Sequence, residues 1–237
     1  MKLVKFFVIL FFDLIDKFHQ KKILTSLKKN RLNISCFVDV GAHNGKYTDL
    51  IINNFQVNKV LMFEPQINIY KKIKKKYKEI KYIKIFNNAI SNNNKKKKFY
   101  INRHDLTSSL VQIDEGDYYL SLKTKLFTSS NKQSLIKKVY DVQTKRLDAI
   151  IKKNNIKKID LIKIDTEGHE KEVLLGLNKF IKNIHYILIE FRRDKIYFNY
   201  NPKEINNYLY KNNFILKETF QFPFTSWEDR IYVNKKF

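Results

Sequence analysis

The sequence predicts an α/β fold: a mostly parallel, seven-stranded sheet with helices on both faces, preceded by a separate helical segment. Three observations predict it. Short apolar runs alternate with amphipathic stretches along most of the chain, the pattern of a doubly wound sheet. Glycine is scarce, five in 237 residues, and three of the five fall in two short segments, Phe37-Val38-Asp39-Val40-Gly41-Ala42-His43-Asn44-Gly45 and Ile164-Asp165-Thr166-Glu167-Gly168-His169-Glu170. Each segment follows an apolar run and precedes a helical pattern. That strand-turn-helix order builds ligand sites at the carboxyl ends of parallel strands.

The elements follow in order. Residues 1–34 form the N-terminal segment. Its apolar run, Leu3 to Phe12, is too short to span a bilayer and no small-residue cleavage site follows it. Apolar residues continue at helical spacing through Leu14, Ile15, Phe18, Ile23 and Leu24. A helix packed on the domain and an interfacial helix gripping anionic lipid through residues 1–24 both fit. The α/β domain, 35–237, opens with a buried strand, Ser35 to Val40, and a helix, Lys46 to Asn54. A second strand, Lys59 to Glu64, ends on Glu64-Pro65, where proline suits a helix start. That helix runs through Tyr77, and Tyr82 to Phe86 is a third strand. The middle, about 101–138, is irregular: Lys98 to Asn102 and Val139 to Thr144 read as strands, with Thr107-Ser108-Ser109 and Thr128-Ser129-Ser130-Asn131 between them. A segment of this kind is a substrate-binding loop or partly mobile. Regular alternation resumes with helix Leu147 to Lys153, strand Ile159 to Asp165, helix Lys171 to Ile181 and strand Tyr186 to Phe191. Helix Pro202 to Tyr210 and strands Phe214 to Thr219 and Arg230 to Asn234 complete the domain.

The net charge is +24, with 47 Lys and Arg against 23 Asp and Glu. Such a balance raises nucleic-acid or anionic-membrane binding. Lysine far outnumbers arginine, the better reader of phosphates and base edges, and no basic stretch is interleaved with arginine and aromatics. The excess therefore reads as compositional, and nucleic acid is disfavoured as a partner. The single cysteine, Cys36, lies in a core strand and reads as a small buried hydrophobe. This fits a reducing compartment. The expected location is cytoplasmic, peripheral at the membrane if the N-terminal helix engages lipid.

The first glycine segment lacks the glycines a pyrophosphate cradle needs, because His43 and Lys46 stand at those spacings. The loop Gly41-Ala42-His43-Asn44-Gly45 can still pass its backbone beside a nucleoside. Glu64, at the end of the second strand, is placed to accept hydrogen bonds from two ribose hydroxyls. A nucleoside without pyrophosphate suggests S-adenosylmethionine, and Asn88, after the third strand, is placed to face the adenine. In the second segment Asp165, Glu167 and His169 crowd one turn. Histidine titrates near neutrality, and a carboxylate beside it can orient it or take a proton from a hydroxyl nucleophile. Glu170 also serves as a helix N-terminal carboxylate. No metal site is expected, since ligands on adjacent turn residues rarely converge without help from elsewhere.

These residues resemble a family. Phe37 to Thr48, Phe63-Glu64-Pro65, Asn88-Ala89-Ile90-Ser91, Arg146-Leu147-Asp148 and Ile159 to Glu170, with Gly176, are similar in content and order to the motifs of FkbM-type methyltransferases. The resemblance covers roughly residues 35 to 192. It implies a Rossmann-like class I methyltransferase fold and O-methylation with S-adenosylmethionine, usually of hydroxyls on sugars, glycans, lipids or polyketide-like products. It also implies that Asp39, Gly41, Glu64 and Asn88 hold the cofactor, and that Asp165, Glu167 and His169 lie near the transferred methyl. Thr107-Ser108-Ser109-Leu110 resembles a serine-containing segment facing the same cleft, which adds Ser109. An RNA methyltransferase or RNA-binding protein, and a membrane-surface protein with a degenerate enzyme domain, are the competing readings. The acceptor pocket is expected in the irregular middle and in the aromatic tail from Arg192 to Trp227. There Tyr197, Phe198, Tyr200, Phe220, Phe222, Phe224 and Trp227 suit either sugar stacking or core packing.

Overall fold

The computed structural model describes residues 2–30, 32–103, 107–114, 134–194, 196–223 and 225–237. Gly116, the Thr128 to Asn131 run and Phe224 lie outside these, as do the side chains of residues 2–9, 12 and 13.

The elements are α1 (Lys2–Lys29), β1 (Cys36–Val40), α2 (Lys46–Ile52), β2 (Lys59–Phe63), α3 (Ile67–Lys76), β3 (Ile83–Phe86), β4 (Ala89–Ile90), β5 (Lys96–Asn102) and β6 (Ile136–Lys145), then α4 (Leu147–Lys153), β7 (Ile159–Ile164), α5 (Glu170–Leu175), β8 (Ile184–Arg192), α6 (Pro202–Lys211), β9 (Phe214–Gln221) and β10 (Trp227–Asn234). Seven strands form the main sheet in the order β3-β2-β1-β7-β8-β10-β9. β1, β2, β3, β7 and β8 are parallel, and β10 runs antiparallel to both its neighbours. Because the chain winds outward from β1 to β3 and then returns beside β1 as β7, the winding reverses between β1 and β7. Their carboxyl ends splay into a crevice there.

The strands read as near-continuous Val, Ile and Leu because helices cover both faces. Alternate residues divide between two layers. Val38, Val40, Phe63, Ile162, Ile164, Ile187 and Ile189 pack with Leu147, Val173, Leu174, Ile205 and Leu209 from α4, α5 and α6. Phe37, Val60, Met62, Leu161, Leu188 and Ile231 pack with Ile23 and Leu27 of α1, Ile51 of α2 and Ile73 of α3. Cys36 belongs to the first layer, and burial pushes its thiol up to about 11, as expected of an inert hydrophobe.

Three elements differ from the sequence reading. The helix expected over Lys171 to Ile181 divides into α5 and a 3₁₀ turn, Asn178–Asn183, since Asn178 takes a left-handed φ of 49° that an α-helix cannot continue through. α3 starts at Ile67, one residue after its N-cap Gln66, so Pro65 precedes the helix. The middle strands stand apart from the main sheet: β5 and β6 form an antiparallel ribbon, and β4 joins β6 in parallel to make a small sheet ordered β4-β6-β5.

α1 lies on the second layer. Asp16 approaches Lys46 at the start of α2 (3.8 Å), and Lys28 reaches Asn54 just beyond the end of α2 (2.7 Å). The helix therefore descends parallel to α2, from the carboxyl edge of the sheet toward its amino edge. His19 Nε2 meets Asp229 Oδ2 at 2.8 Å, and the ring sits edge-on among Phe220, Phe222 and Trp227.

Candidate functional site

The crevice at the β1/β7 switch is lined by Gly41, His43, Phe63, Glu64, Asn88, Ser108, Asp165, Thr166, Glu167 and His169, with apolar residues between them. Both glycine segments thus face one cleft.

Gly41 joins them. Its φ is +85°, and a Cβ there would overlap the carbonyl oxygen of Asp165. Only glycine lets the two strand ends approach so closely. The backbone amides of Gly41 and Ala42 both donate to the Phe63 carbonyl (3.1 and 3.0 Å), which ties the loop to β2. Glu64 is buried, with Oε2 accepting from the His43 amide (2.9 Å) and Oε1 from the Gln66 amide (2.8 Å). Each carboxylate oxygen accepts about two hydrogen bonds. The group is thereby oriented while it still faces the cleft. Asn88 lines the same wall and donates to the Gln143 carbonyl (3.3 Å).

Asp39 lies below this surface, fully buried, its Oδ2 accepting from Thr48 Oγ1 at 2.7 Å. Oδ1 has no partner among the described residues, and burial raises the carboxyl above its ordinary value. Its register neighbour on β7 is Lys163, whose Nζ donates to Asp165 Oδ2 at 2.6 Å and sits 4.7 Å from the Tyr47 ring. Burial opposes the charge on Lys163, but Asp165 and Asp39 outweigh it and keep the ammonium charged.

The second segment is organised by Glu170. Its Oε1 accepts from the Thr166 and Gly168 amides (3.0 and 3.1 Å) and from Thr166 Oγ1 (3.1 Å), so the carboxylate caps the turn from within. Burial pushes its pKa up to about 7. Gly168 has φ +94°, and a Cβ there would run into the Tyr197 ring. Tyr197 in turn donates to Glu167 Oε2 at 2.5 Å.

His169 departs from the expectation of a group that titrates near neutrality. It lines the cleft but is buried, with Nε2 3.0 Å from Ser91 Oγ and Nδ1 3.6 Å from Glu172. Burial, aided by Lys97, lowers its pKa to about 3. It is a neutral imidazole at physiological pH, able to hydrogen-bond but poor at holding a proton. Ser109 is a second correction. Its hydroxyl donates to the Thr166 carbonyl (3.0 Å) and accepts from the Val111 amide (3.0 Å), and the residue is buried. Ser109 pins its segment over the turn, and Ser108 is the serine that lines the cleft. Ala42, Asn44 and Gly45 belong to the loop without lining this cleft. Asn44 opens, with His43, onto a separate depression against α3.

Several site residues were not singled out in the sequence. Glu190 and Arg192 of β8 stand beside Asp165 and Glu167, and the Arg192 Nη1 lies 3.5 Å from both Glu167 Oε2 and Glu190 Oε1. Burial and the nearby Glu167 and Asp165 raise the Glu190 carboxyl well above its usual range. Asp165, Glu167 and Glu190 offer oxygens within 4.8 Å of one another. Carboxylates of the turn therefore do converge, with help from the neighbouring strand, where no convergence was expected. The guanidinium of Arg192 already lies against two of the three. The missed signal was strand parity: Lys163 and Asp165, and Glu190 and Arg192, are polar pairs two apart at the carboxyl ends of apolar runs. The aromatic tail is mainly packing, since Tyr197, Phe220 and Phe222 are buried and Phe222 stacks on Trp227 at 4.2 Å, while Phe198 is exposed.

Among solved structures, similarity is to the fold. A methyltransferase FkbM from Methylobacillus flagellatus KT aligns with a TM-score of 0.53 at 15% identity, covering 84% of this chain and 43% of that one. Magnesium protoporphyrin IX methyltransferase from Synechocystis PCC 6803, solved with S-adenosylmethionine, aligns with a TM-score of 0.50 at 11% identity, over 94% and 81%. TrmK from M. capricolum, solved with S-adenosylhomocysteine, aligns with a TM-score of 0.51 at 12% identity, over 90% and 67%. The chain thus spans less than half of the FkbM structure it matches. No curated protein matches it in sequence. The sequence profile described as the Methyltransferase FkbM domain matches residues 39–216, well over half of the chain and both walls of the cleft. The switch-point cleft, the glycine-permitted contact between its two loops and this match lead to one conclusion: the chain belongs to the FkbM methyltransferase family.

Proposed function

We propose that the chain transfers a methyl group from S-adenosylmethionine to a hydroxyl of a sugar, glycan or related small acceptor. The observation that carries this reading is the polarity of the cleft, which is lined by Gly41, Glu64 and Asn88 together with the carboxylates of Asp165 and Glu167.

The residues fit the cofactor on two counts. Gly41, Glu64 and Asn88 line the cleft together, and beneath them Asp39 keeps a buried carboxylate oxygen without a partner among the described residues. S-adenosylmethionine, when bound, supplies a methyl already activated on a sulfonium. The protein's task is then chiefly alignment. Glu64, fixed by two amides, would take the ribose hydroxyls, and Asn88 the adenine edge. Asp165, held by Lys163, would favour the positive charge of the cofactor.

On the acceptor side Glu167 is the group best placed to receive a hydroxyl proton. Tyr197 and Arg192 orient it, and it lines the cleft. His169, neutral and bonded to Ser91, positions the turn and offers a hydrogen bond without holding the proton. A wall of carboxylates favours a neutral, hydroxyl-rich acceptor and disfavours polyanions such as RNA by like-charge repulsion. Labelled methyl transfer against glycans, lipid extract and RNA tests the reading. Alkali-stable label in the glycan or lipid fraction supports a methyl ether. Label confined to RNA, or none in any acceptor despite cofactor binding, overturns it.

A further inference from the structure

We propose that the amino-terminal half of α1 docks on an anionic lipid surface. The helix has two faces. From Asp16 downward one face is committed to the domain: His19, Ile23, Ser26 and Leu27 are buried, with His19 bound to Asp229 and Ser26 to Glu218. The opposite face is exposed and, in its upper part, apolar. Leu10, Leu14 and Phe18 are 54, 52 and 59% exposed, and Phe11 beside them 52%. At 3.6 residues per turn these four share an arc of about 100°. Single exposed apolar residues are ordinary, but a contiguous stripe marks an interaction site.

The stripe sits where a surface could reach it. Asp16 and His19 lie at the carboxyl edge of the sheet, beside Lys46 and Asp229. The helix continues upward from there to Lys2, about 20 Å of helix beyond the edge that carries the cleft. Among the described residues no helix is long and apolar enough to cross a membrane, so the stripe suits an interfacial pose.

Charge selects the occupant. Residues 2–29 hold seven lysines and two aspartates, and residues 2–12 hold no acid. Lys17, Lys21 and Lys22 are exposed around Phe18, on either side of the same face. Basic residues flanking an apolar stripe match anionic headgroups over acyl chains. A second copy of the chain would bring the same lysines against these, a like-charge arrangement that opposes pairing.

The test uses the full chain, with vesicles of phosphatidylcholine alone or with about 30% phosphatidylglycerol. The variant L14Q/F18Q removes two of the four stripe residues without changing charge or touching the buried face. The expected result is cosedimentation with anionic vesicles, weakened about ten-fold or more in L14Q/F18Q, at an unchanged unfolding midpoint and unchanged S-adenosylhomocysteine affinity. Equal vesicle binding by both proteins would assign the effect to the general basic surface and overturn the proposal. So would an absence of vesicle binding, or a dimer seen by light scattering that L14Q/F18Q dissociates.

Discussion

His169 and Glu170 are adjacent, buried and shifted in opposite ways, which makes the pH dependence of stability a sharp test of how the turn is built. His169 has a pKa of about 3 in the fold against 6.5 when unfolded. Its contribution is therefore present above pH 6.5 and is lost as the pH falls, because only the unfolded chain takes up the proton. One pKa unit corresponds to about 1.4 kcal/mol, so acidifying from about pH 7.5 to about pH 5 removes about 2 kcal/mol. Glu170 has a pKa of about 7 in the fold against 4.5. Its contribution is present below pH 4.5 and is lost as the pH rises through 7, so the same acidification restores about 2 kcal/mol. The two nearly cancel in the native protein. Glu170→Gln should leave His169 unopposed, so that the variant loses stability on acidification relative to the parent. His169→Gln should do the reverse and gain about 2 kcal/mol relative to the parent over the same range. Urea unfolding of the three proteins at several pH values between about 5 and 7.5 measures this, since the common titrations drop out of the differences. Parallel stability curves for the parent and His169→Gln would refute the buried, neutral imidazole.

Other outcomes follow from the cleft. Glu64→Ala should weaken S-adenosylhomocysteine binding by about ten-fold or more in calorimetry, since the two ribose hydrogen bonds proposed for this carboxylate would be lost; unchanged affinity would remove Glu64 from that role. Glu167→Gln should lower kcat by about a hundred-fold while leaving cofactor affinity within about three-fold, the signature of a lost proton acceptor. Gly41→Ala must place a Cβ on the Asp165 carbonyl in a left-handed conformation. It should cost about 4 kcal/mol and lower Tm by roughly 10 °C in a thermal melt.

The main sheet was legible because its strands are buried on both faces and so appear as bare apolar runs. β1, Cys-Phe-Val-Asp-Val, is buried at every position. The β4-β6-β5 ribbon was less so, because β5 opens with Lys96 and Lys97, which carry no apolar signal ahead of the strand read from Lys98. Glycine scarcity located both loops of the cleft, since a left-handed turn against a neighbouring backbone leaves little choice of residue. Protonation was not legible. Nothing in the string says that His169 is buried against Ser91 or that Glu170 turns inward to cap Thr166 and Gly168. Ser109 failed by one position: in extended backbone neighbouring side chains point opposite ways, and it is Ser108 that opens on the cleft. Glu190 and Arg192 carried a strand-parity signal, but the pairing of Glu190 with Asp229 of β10, some forty residues on, is announced by no local pattern.

The two faces of α1 constrain how this protein can vary. A substitution on one face leaves the other in place. Inserting or deleting a single residue near Phe18 would turn everything upstream by about 100° relative to His19, Ile23 and Leu27, which are held by the sheet. An insertion would set Ile15 and Phe11 where Leu14 and Leu10 now stand, whereas a deletion would set Asp13 in the middle of the stripe. The segment can therefore drift by replacement, or gain a residue, more easily than it can lose one. Among related sequences the spacing from His19 to the upstream apolar residues should seldom be shorter than here.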